Sequence, residues 1–196
     1  NLSSSVSSQP FKIASVGNSS LYYDGKIDDI GVWNRVLTAE EITNIYYEGN
    51  PPFQLDSNGV TINCSSASTG DTGIVGGVTY TKRTKAQITT SNAATTCTSG
   101  ITDLSNLFKN ESSFNVDINH WDVSSVTNMS DLFRLATSFN QDLNSWDVSN
   151  VSSFYGTFAQ AYSFNGDISS WDVSSGINLE GVFYETTAFN QDVSSW

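Results

Sequence analysis

The sequence predicts an α/β repeat solenoid in its second half, with a parallel sheet on one side, and three observations lead to this fold class. A 25-residue repeat that contains the pattern Phe-Asn-x-Asp-(Ile/Leu/Val)-x-x-Trp occurs four times over residues 101–196, the last copy being incomplete. Its phenylalanines are Phe114, Phe139, Phe164 and Phe189, and its tryptophans are Trp121, Trp146, Trp171 and Trp196. A second phenylalanine keeps the same spacing, at Phe108, Phe133, Phe158 and Phe183. A fixed period of about 20 to 50 residues is typical of stacked supersecondary units rather than of a compact globule.

Each repeat is predicted to contain one strand and one short helix. Trp121 and Val123 lie two residues apart, so they share one face of a strand that begins near Ile118. The copies of this strand are Leu143/Trp146/Val148 and Ile168/Trp171/Val173. The helix is predicted from apolar residues at positions i, i+3, i+4 and i+7, which are Met129, Leu132, Phe133 and Ala136 in the first copy and Phe154, Thr157, Phe158 and Ala161 in the next. If both elements bury one face, Trp stacks on Trp and Phe on Phe along the axis.

The repeats resemble the BspA-like leucine-rich-repeat surface proteins over about residues 70–196. The resemblance rests on the wording Phe-Asn-x-Asp…Trp-Asp-Val-Ser and on the segment that precedes it. That segment contributes two parts. The first runs from Gly70-Asp71-Thr72-Gly73 to Tyr80, and the second runs from Cys97-Thr98-Ser99 to Leu107-Phe108. The resemblance implies a leucine-rich-repeat-like solenoid in a secreted or cell-surface protein that makes contact with a host or prey cell.

Residues 1–49 predict two strands and a helix. The strands are expected at 11–16 and 26–34, where β-branched and aromatic residues concentrate. Thr38 and Glu41 form a capping box that starts the helix, Ile42, Ile45 and Tyr46 mark its apolar face, and Gly49 ends it.

The segments from Tyr23 to Ile30 and from Trp33 to Ile42 resemble the closing strands of a laminin-G-like, concanavalin-type jelly roll. The resemblance implies the C-terminal part of a β-sandwich and carries over no sugar or calcium ligand. Two or three strands cannot bury a two-sheet core alone, so we expect the rest of the sandwich from other sequence, and the chain looks cut at both ends.

Residues 50–100 are predicted to be a linker and the N-terminal cap of the solenoid, with short strands at 60–62 and 78–81. Cys64 and Cys97 are the two cysteines of the chain, and a Ser/Thr/Asn-rich composition suggests an extracellular setting in which they pair. The alternative is two buried free thiols. The basic residues Lys82, Arg83 and Lys85 are either a binding patch or, as favoured here, solvated surface.

The acidic charge concentrates in the repeats. The chain holds 8 Lys and Arg against 20 Asp and Glu, a net charge of −12, and residues 101–196 hold 2 against 12, a net charge of −10. This field repels phosphate backbones and anionic lipids, which argues against nucleic-acid binding, and no run approaches the roughly 18 apolar residues of a membrane span. It would attract divalent cations or basic partners; the alternative is an acidic surface that only keeps the protein soluble.

One outward face of the predicted strands is a candidate binding face. Its residues are His120, Asp122, Ser124, Ser145, Asp147, Ser149, Ser170, Asp172 and Ser174. With parallel strands about 4.8 Å apart, Asp122, Asp147 and Asp172 would form a column of carboxylates that could bind Ca²⁺ or a sugar. The favoured alternative is that each Asp accepts backbone N–H groups of the following Ser-Ser-Val turn. His120 occurs in one repeat only and is expected to be an exposed residue without a special role.

A second polar column is formed by Asn115 and Asp117 and by their copies at 140/142, 165/167 and 190/192. A turn-forming role is the favoured interpretation of this column as well. No nucleophile elbow, phosphate loop or zinc-ligand set occurs, so we expect no enzyme and no cofactor other than possible Ca²⁺.

The predicted function is that of an extracellular or cell-surface adhesin fragment whose partner is a protein or carbohydrate on another cell or matrix surface. The alternative is a structural subunit of a self-assembling surface appendage, which would form homo-oligomers.

Overall fold

The computed structural model describes residues 35–46 and 50–196. The chain divides into two units, Asn1–Leu37 and Thr38–Trp196, and the fold described below is that of the second. The strands predicted at 11–16 and 26–34, and with them the strands on which the jelly-roll resemblance rests, lie outside the described residues. Within the part of the chain that is described, no helix has the length and apolar character needed to cross a membrane.

Helix α1 (Ala39–Tyr46) follows the capping box that the sequence predicts. The Thr38 hydroxyl accepts the Glu41 backbone N–H at 3.1 Å, and the Glu41 carboxylate accepts the Thr38 N–H at 2.9 Å. These two bonds satisfy donors that a helix start otherwise leaves unpaired, which confirms the predicted start. Ile42 and Ile45, from its predicted apolar face, are exposed.

The cap consists of two small sheets. Strands β1 (Gln54–Leu55) and β2 (Ile62–Asn63) pair antiparallel. Strands β3 (Thr72–Val75) and β4 (Val78–Lys82) form a hairpin, and β5 (Thr96–Cys97) pairs parallel with β4. Gly76 and Gly77 turn the hairpin with φ of 58° and 80°, values that favour glycine. Short 3₁₀ helices occupy Lys85–Gln87 and Ala93–Thr95.

A disulfide between Cys64 and Cys97 holds the two sheets together. It joins residues 33 positions apart, and both cysteines are fully buried beside Phe53 and Ile62. The predicted pairing is therefore confirmed. Its position ties the start of the cap to the strand that leads directly into the repeats.

The repeats contain turns where the sequence predicts helices, so that prediction is wrong. Residues 129–136 form successive turns in which Asp131 and Leu135 have φ of 56° and 62°. Left-handed residues interrupt an α-helix. The same two positions are left-handed in every repeat, as Asn106 and Asn110, Gly156 and Gln160, and Gly181 and Glu185 show.

The left-handed residues turn alternate backbone groups toward the next repeat. The N–H groups of Met129, Asp131, Phe133 and Leu135 donate to carbonyls of the next repeat, namely those of Ser153, Tyr155, Thr157 and Ala159, at 2.7–3.0 Å. The residues between them, such as Leu132 and Arg134, donate three positions back within their own turn. Residues 104–110 and 154–160 repeat this scheme. Each layer thus completes its backbone hydrogen bonds only in contact with its neighbour.

The parallel contacts between repeats lie after the tryptophan segment and not within it. Isolated parallel bridges join Asp103 to Asn128, Asn128 to Ser153, and Ser153 to Asn178. Over residues 101–196 the structure assigns no strand longer than these single-residue bridges, and the strand predicted through Trp121 and Val123 is not formed. The Trp121 N–H instead closes a tight turn onto the Ile118 carbonyl at 3.0 Å.

The core of the repeats is a set of aromatic stacks that run from layer to layer. The indole centroids of successive tryptophans, from Trp121 to Trp196, lie 6.1–6.3 Å apart with planes within 7° of parallel. The two phenylalanine columns have centroid spacings of 5.5–5.9 Å. This confirms the predicted stacking of Trp on Trp and Phe on Phe.

Three buried indole N–H groups are paired with the preceding layer. Nε1 of Trp121, Trp146 and Trp171 donates to the carbonyls of Ala93, Ile118 and Leu143 at 3.0–3.1 Å. Ala93 stands 25 residues before Ile118, so the end of the cap already occupies repeat positions. The cap is therefore continuous with the stack and covers its first layer.

Candidate binding surface of the repeats

The carboxylates of Asp122, Asp147 and Asp172 are engaged in turns. Each Oδ1 accepts the backbone N–H two residues later, from Ser124, Ser149 and Ser174, at 2.9–3.1 Å. The hydroxyls of Ser124 and Ser149 donate to the same oxygens at 2.7 and 2.6 Å. These are the bonds of an Asx turn, the interpretation that the sequence favoured.

The structure does not assemble these carboxylates into a metal site. Among the described residues, no group of three or more His, Cys, Asp or Glu side chains is placed to hold a metal ion. A calcium ion needs about six to eight oxygen ligands, and one oxygen of each carboxylate is already bonded to its own turn. The calcium hypothesis for Asp122, Asp147 and Asp172 therefore gains no support from the geometry.

The serines of the predicted face are mostly scaffold residues as well. The Ser145 N–H donates to Asn119 Oδ1 at 3.1 Å, and the Ser170 N–H donates to Asn144 Oδ1 at 2.8 Å. Asp147, Ser170, Asp172 and Ser174 are exposed, whereas Asp122, Ser124, Ser145 and Ser149 are half-buried. Solvent can thus reach the face, but Ser145 and Ser170 already connect one layer with the next.

His120 is not the exposed residue that we expected. Its Nε2 lies 3.1 Å from the Thr96 carbonyl, its ring packs 5.2 Å from that of Tyr80, and its own carbonyl accepts the Ile62 N–H at 2.8 Å. Burial lowers its pKa, which favours the neutral ring. His120 therefore joins the first repeat to both sheets of the cap, and this contact explains why the residue occurs only once.

The asparagines of the second column bridge the layers. Oδ1 of Asn115, Asn140 and Asn165 accepts the backbone N–H of the asparagine 25 residues later, at 2.8–2.9 Å. The aspartates of this column do form turns, since Oδ1 of Asp117 accepts the Asn119 N–H at 2.9 Å and Asp167 and Asp192 repeat the bond. The turn role is thus present for Asp, and the asparagine ladder is a role that the sequence interpretation missed.

The basic cluster is neither a free patch nor solvated surface. Lys82 Nζ donates to the carbonyls of Cys64, Ser65 and Ala67 at 2.8–3.2 Å. Arg83 donates to the Thr95 carbonyl and the Thr96 hydroxyl, both at 3.0 Å. Lys85 pairs with Asp103 at 2.7 Å. All three cations therefore fasten parts of the cap to one another or to the first repeat, and both interpretations of the cluster were wrong.

Three tyrosines of the repeats have exposed side chains, and sequence reasoning did not single them out. Tyr155, Tyr162 and Tyr184 are the only tyrosines of residues 101–196, and they are 39%, 42% and 59% exposed. They stand at positions that other repeats fill with Ser, Thr, Lys, Arg, Glu or Ala. A comparison of the four copies for positions that fail to repeat would have found them.

The turn bond of Asp172 can be tested by titration. The hydrogen bonds from the Ser174 hydroxyl and backbone hold the pKa of Asp172 below its usual value, because they stabilise the ionised carboxylate. The Ser174→Ala variant should raise that pKa toward 3.8, as followed by NMR titration of the carboxyl carbon. The same change should leave the Asp192 titration, which depends on Ser194, where it was. An unaltered Asp172 midpoint would show that the hydroxyl bond does not persist in solution.

Comparison with known proteins gives one match. A family model described as "Mycoplasma protein of unknown function, DUF285" matches residues 79–196. These residues span most of β4, the part of the cap that follows β4, and all of the repeats. No curated protein and no solved structure matches the chain.

Proposed function

The chain belongs to the DUF285 family, and from this premise we propose that it is part of an extracellular or cell-surface adhesin whose repeats present a surface to another cell, a matrix protein or a glycan. In this proposal residues 101–196 are BspA-type leucine-rich repeats, residues 50–100 are their cap, and residues 1–49 are the end of a laminin-G-like sandwich. The repeats act as a scaffold and not as an enzyme.

The observation that carries the proposal is the coupling of each layer to the next. Backbone ladders, asparagine bonds and aromatic stacks all cross from one repeat to its neighbour. Such a stack holds its outward groups at a fixed spacing. Many weak contacts at a fixed spacing add up by multivalency, which suits adhesion better than catalysis.

The disulfide and the charge support an extracellular location. A buried Cys64–Cys97 bridge persists in oxidising surroundings and is rare in the cytosol. The repeats carry a net charge of −10, which favours partners that are neutral or basic.

A second candidate function is that of an appendage subunit, which would assemble with other copies of the same chain. The backbone bonds that join one layer to the next are of a kind that layers of separate chains can also make.

The two candidates differ in what the purified chain does alone. In one experiment, residues 1–196 would be passed over surfaces coated with cells, extracellular-matrix protein or neutral glycans. In a second experiment, light scattering would measure the molar mass of the chain from micromolar to millimolar concentration. Adhesion predicts saturable binding by a monomer, with no binding by a heat-unfolded control. A chain that binds no surface and grows in mass with concentration would overturn the adhesin proposal in favour of the appendage.

A further inference from the structure

Some outward positions keep the same residue type from repeat to repeat, whereas those on one side of the stack change. The asparagine ladder repeats Asn four times, and the turn position repeats Asp. The changing side passes through Lys109, Arg134, Ala159 and Tyr184 at one repeat position and Ser112, Thr137, Tyr162 and Thr187 at another. Scaffolding explains residues that repeat. Residues that differ are free of that constraint, so they are the ones that contact with a partner can use.

The changing side carries a contiguous group of polar and aromatic residues, which we name the tyrosine face: Gln160, Tyr162, Tyr184, Glu185 and Thr187. Gln160 Nε2 donates to Glu185 Oε2 at 2.9 Å, and the Gln160 N–H donates to the Tyr184 carbonyl at 2.7 Å. The Thr187 hydroxyl donates to the Tyr162 carbonyl at 3.4 Å. These bonds join two adjacent layers, two of them through the backbone carbonyls of Tyr184 and Tyr162.

The tyrosine face is anionic as well as aromatic. Both cations of residues 101–196 are engaged elsewhere, since Lys109 and Arg134 lie 2.7 and 3.5 Å from the buried Asp131. Glu185 lies beside Tyr184, and its carboxylate raises the pKa of that phenol through a hydrogen bond. Aromatic faces attract Lys and Arg side chains, and a neighbouring carboxylate adds to the attraction.

We propose that the tyrosine face binds a Lys- or Arg-bearing segment of a partner protein, with Tyr162 and Tyr184 stacking on the cationic side chain and Glu185 pairing with it. Charge complementarity selects this occupant, because the repeats carry −10 and the face holds no cation. The proposal rests on the adhesive function proposed above and names the chemistry of its partner.

The test uses the full chain and a fluorescent octapeptide that alternates Arg and Gly, measured by anisotropy at physiological salt. The Tyr162→Ala/Tyr184→Ala variant should weaken binding about 5- to 20-fold, whereas Tyr162→Phe/Tyr184→Phe, which keeps the rings, should retain it. Both substituted side chains are exposed, and equal melting temperatures would show that the fold is unchanged.

A matched pair of charge changes separates this face from the general acidity of the repeats. Glu185→Gln and Asp147→Asn each remove one exposed negative charge, and Asn can preserve the turn at 147. Glu185→Gln should weaken binding of the Arg-containing peptide about three- to fivefold, and Asp147→Asn should weaken it by less than about 1.5-fold. Equal effects of the two changes would overturn the proposal, as would equal binding of a peptide with Ser in place of Arg.

Two further outcomes identify what failed. If maltohexaose, a neutral sugar, binds and the Tyr→Ala variant loses that binding, the face takes a glycan and the cationic partner is wrong. If the wild-type chain adheres to cells and all the variants adhere equally, the face is wrong while the adhesive function stands.

Discussion

The Trp146→Ala variant is expected to lose about 3–5 kcal/mol of unfolding free energy. Trp146 is 2% exposed, and its ring lies 6.3 Å from those of both Trp121 and Trp171. Its removal opens a large cavity in the middle of the stack and takes the indole donor from the Ile118 carbonyl, which Nε1 reaches at 3.1 Å. Urea denaturation followed by circular dichroism measures the loss.

Trp196→Ala provides the matched control within the same column. Trp196 is half-buried and stacks on one indole only, at 6.1 Å from Trp171, and its Nε1 has no partner among the described residues. Its replacement should cost about 1–2 kcal/mol. Equal losses for the two variants would mean that the continuous stack does not hold the layers together.

The sequence predicted which residues are buried better than it predicted their backbone. Met129, Leu132, Phe133 and Ala136 were chosen for a helical period, and all four are fully buried. The helix is absent because Asp131 and Leu135 adopt left-handed conformations. Leucine disfavours that conformation, so no local preference indicates it. The conformation is held by hydrogen bonds to a layer 24 residues away, such as that from Leu135 to Ala159, which periodicity within one repeat does not reveal.

The candidate site shows the same division between local and distant causes. The Asp-x-Ser turns are local, and the pattern was sufficient to suggest them at Asp122, Asp147 and Asp172. His120 and Lys85 obtain their partners, Thr96 and Asp103, from segments 24 and 18 residues away. Spacing along the chain does not reveal such contacts. The roles of these two residues therefore emerged only from the folded cap.

The layer-to-layer bonds also determine where a binding surface can change without loss of the fold. An outward Asn or Asp that bridges or closes a turn, such as Asn140 or Asp147, cannot be exchanged freely because its oxygen has a fixed partner. Tyr162 and Tyr184 stack on no other ring of the described residues, and their exposed side chains can vary at little cost to stability. Variation from repeat to repeat is therefore more informative about contact than repetition is.

Loss of the disulfide should be the second large effect. The Cys64→Ala/Cys97→Ala variant is expected to lose about 3–4 kcal/mol, because a bridge that spans 33 residues restricts the unfolded chain. The cap should loosen first. Trp121, whose Nε1 donates to the Ala93 carbonyl in the cap, should then become accessible to a fluorescence quencher before the indoles deeper in the stack.

A reductant provides the control that separates the bridge from the two altered side chains. It should lower the melting temperature of the wild type and leave that of the Ala/Ala variant unchanged, since the variant has no disulfide to reduce. If the reduced and oxidised forms of the wild type have the same melting temperature, the cap is held together without the disulfide. The bonds that would hold it are those of Lys82 to Cys64, Ser65 and Ala67 and the Lys85–Asp103 ion pair. In that event the expected loss is wrong and the oxidising surroundings inferred from it lose their support.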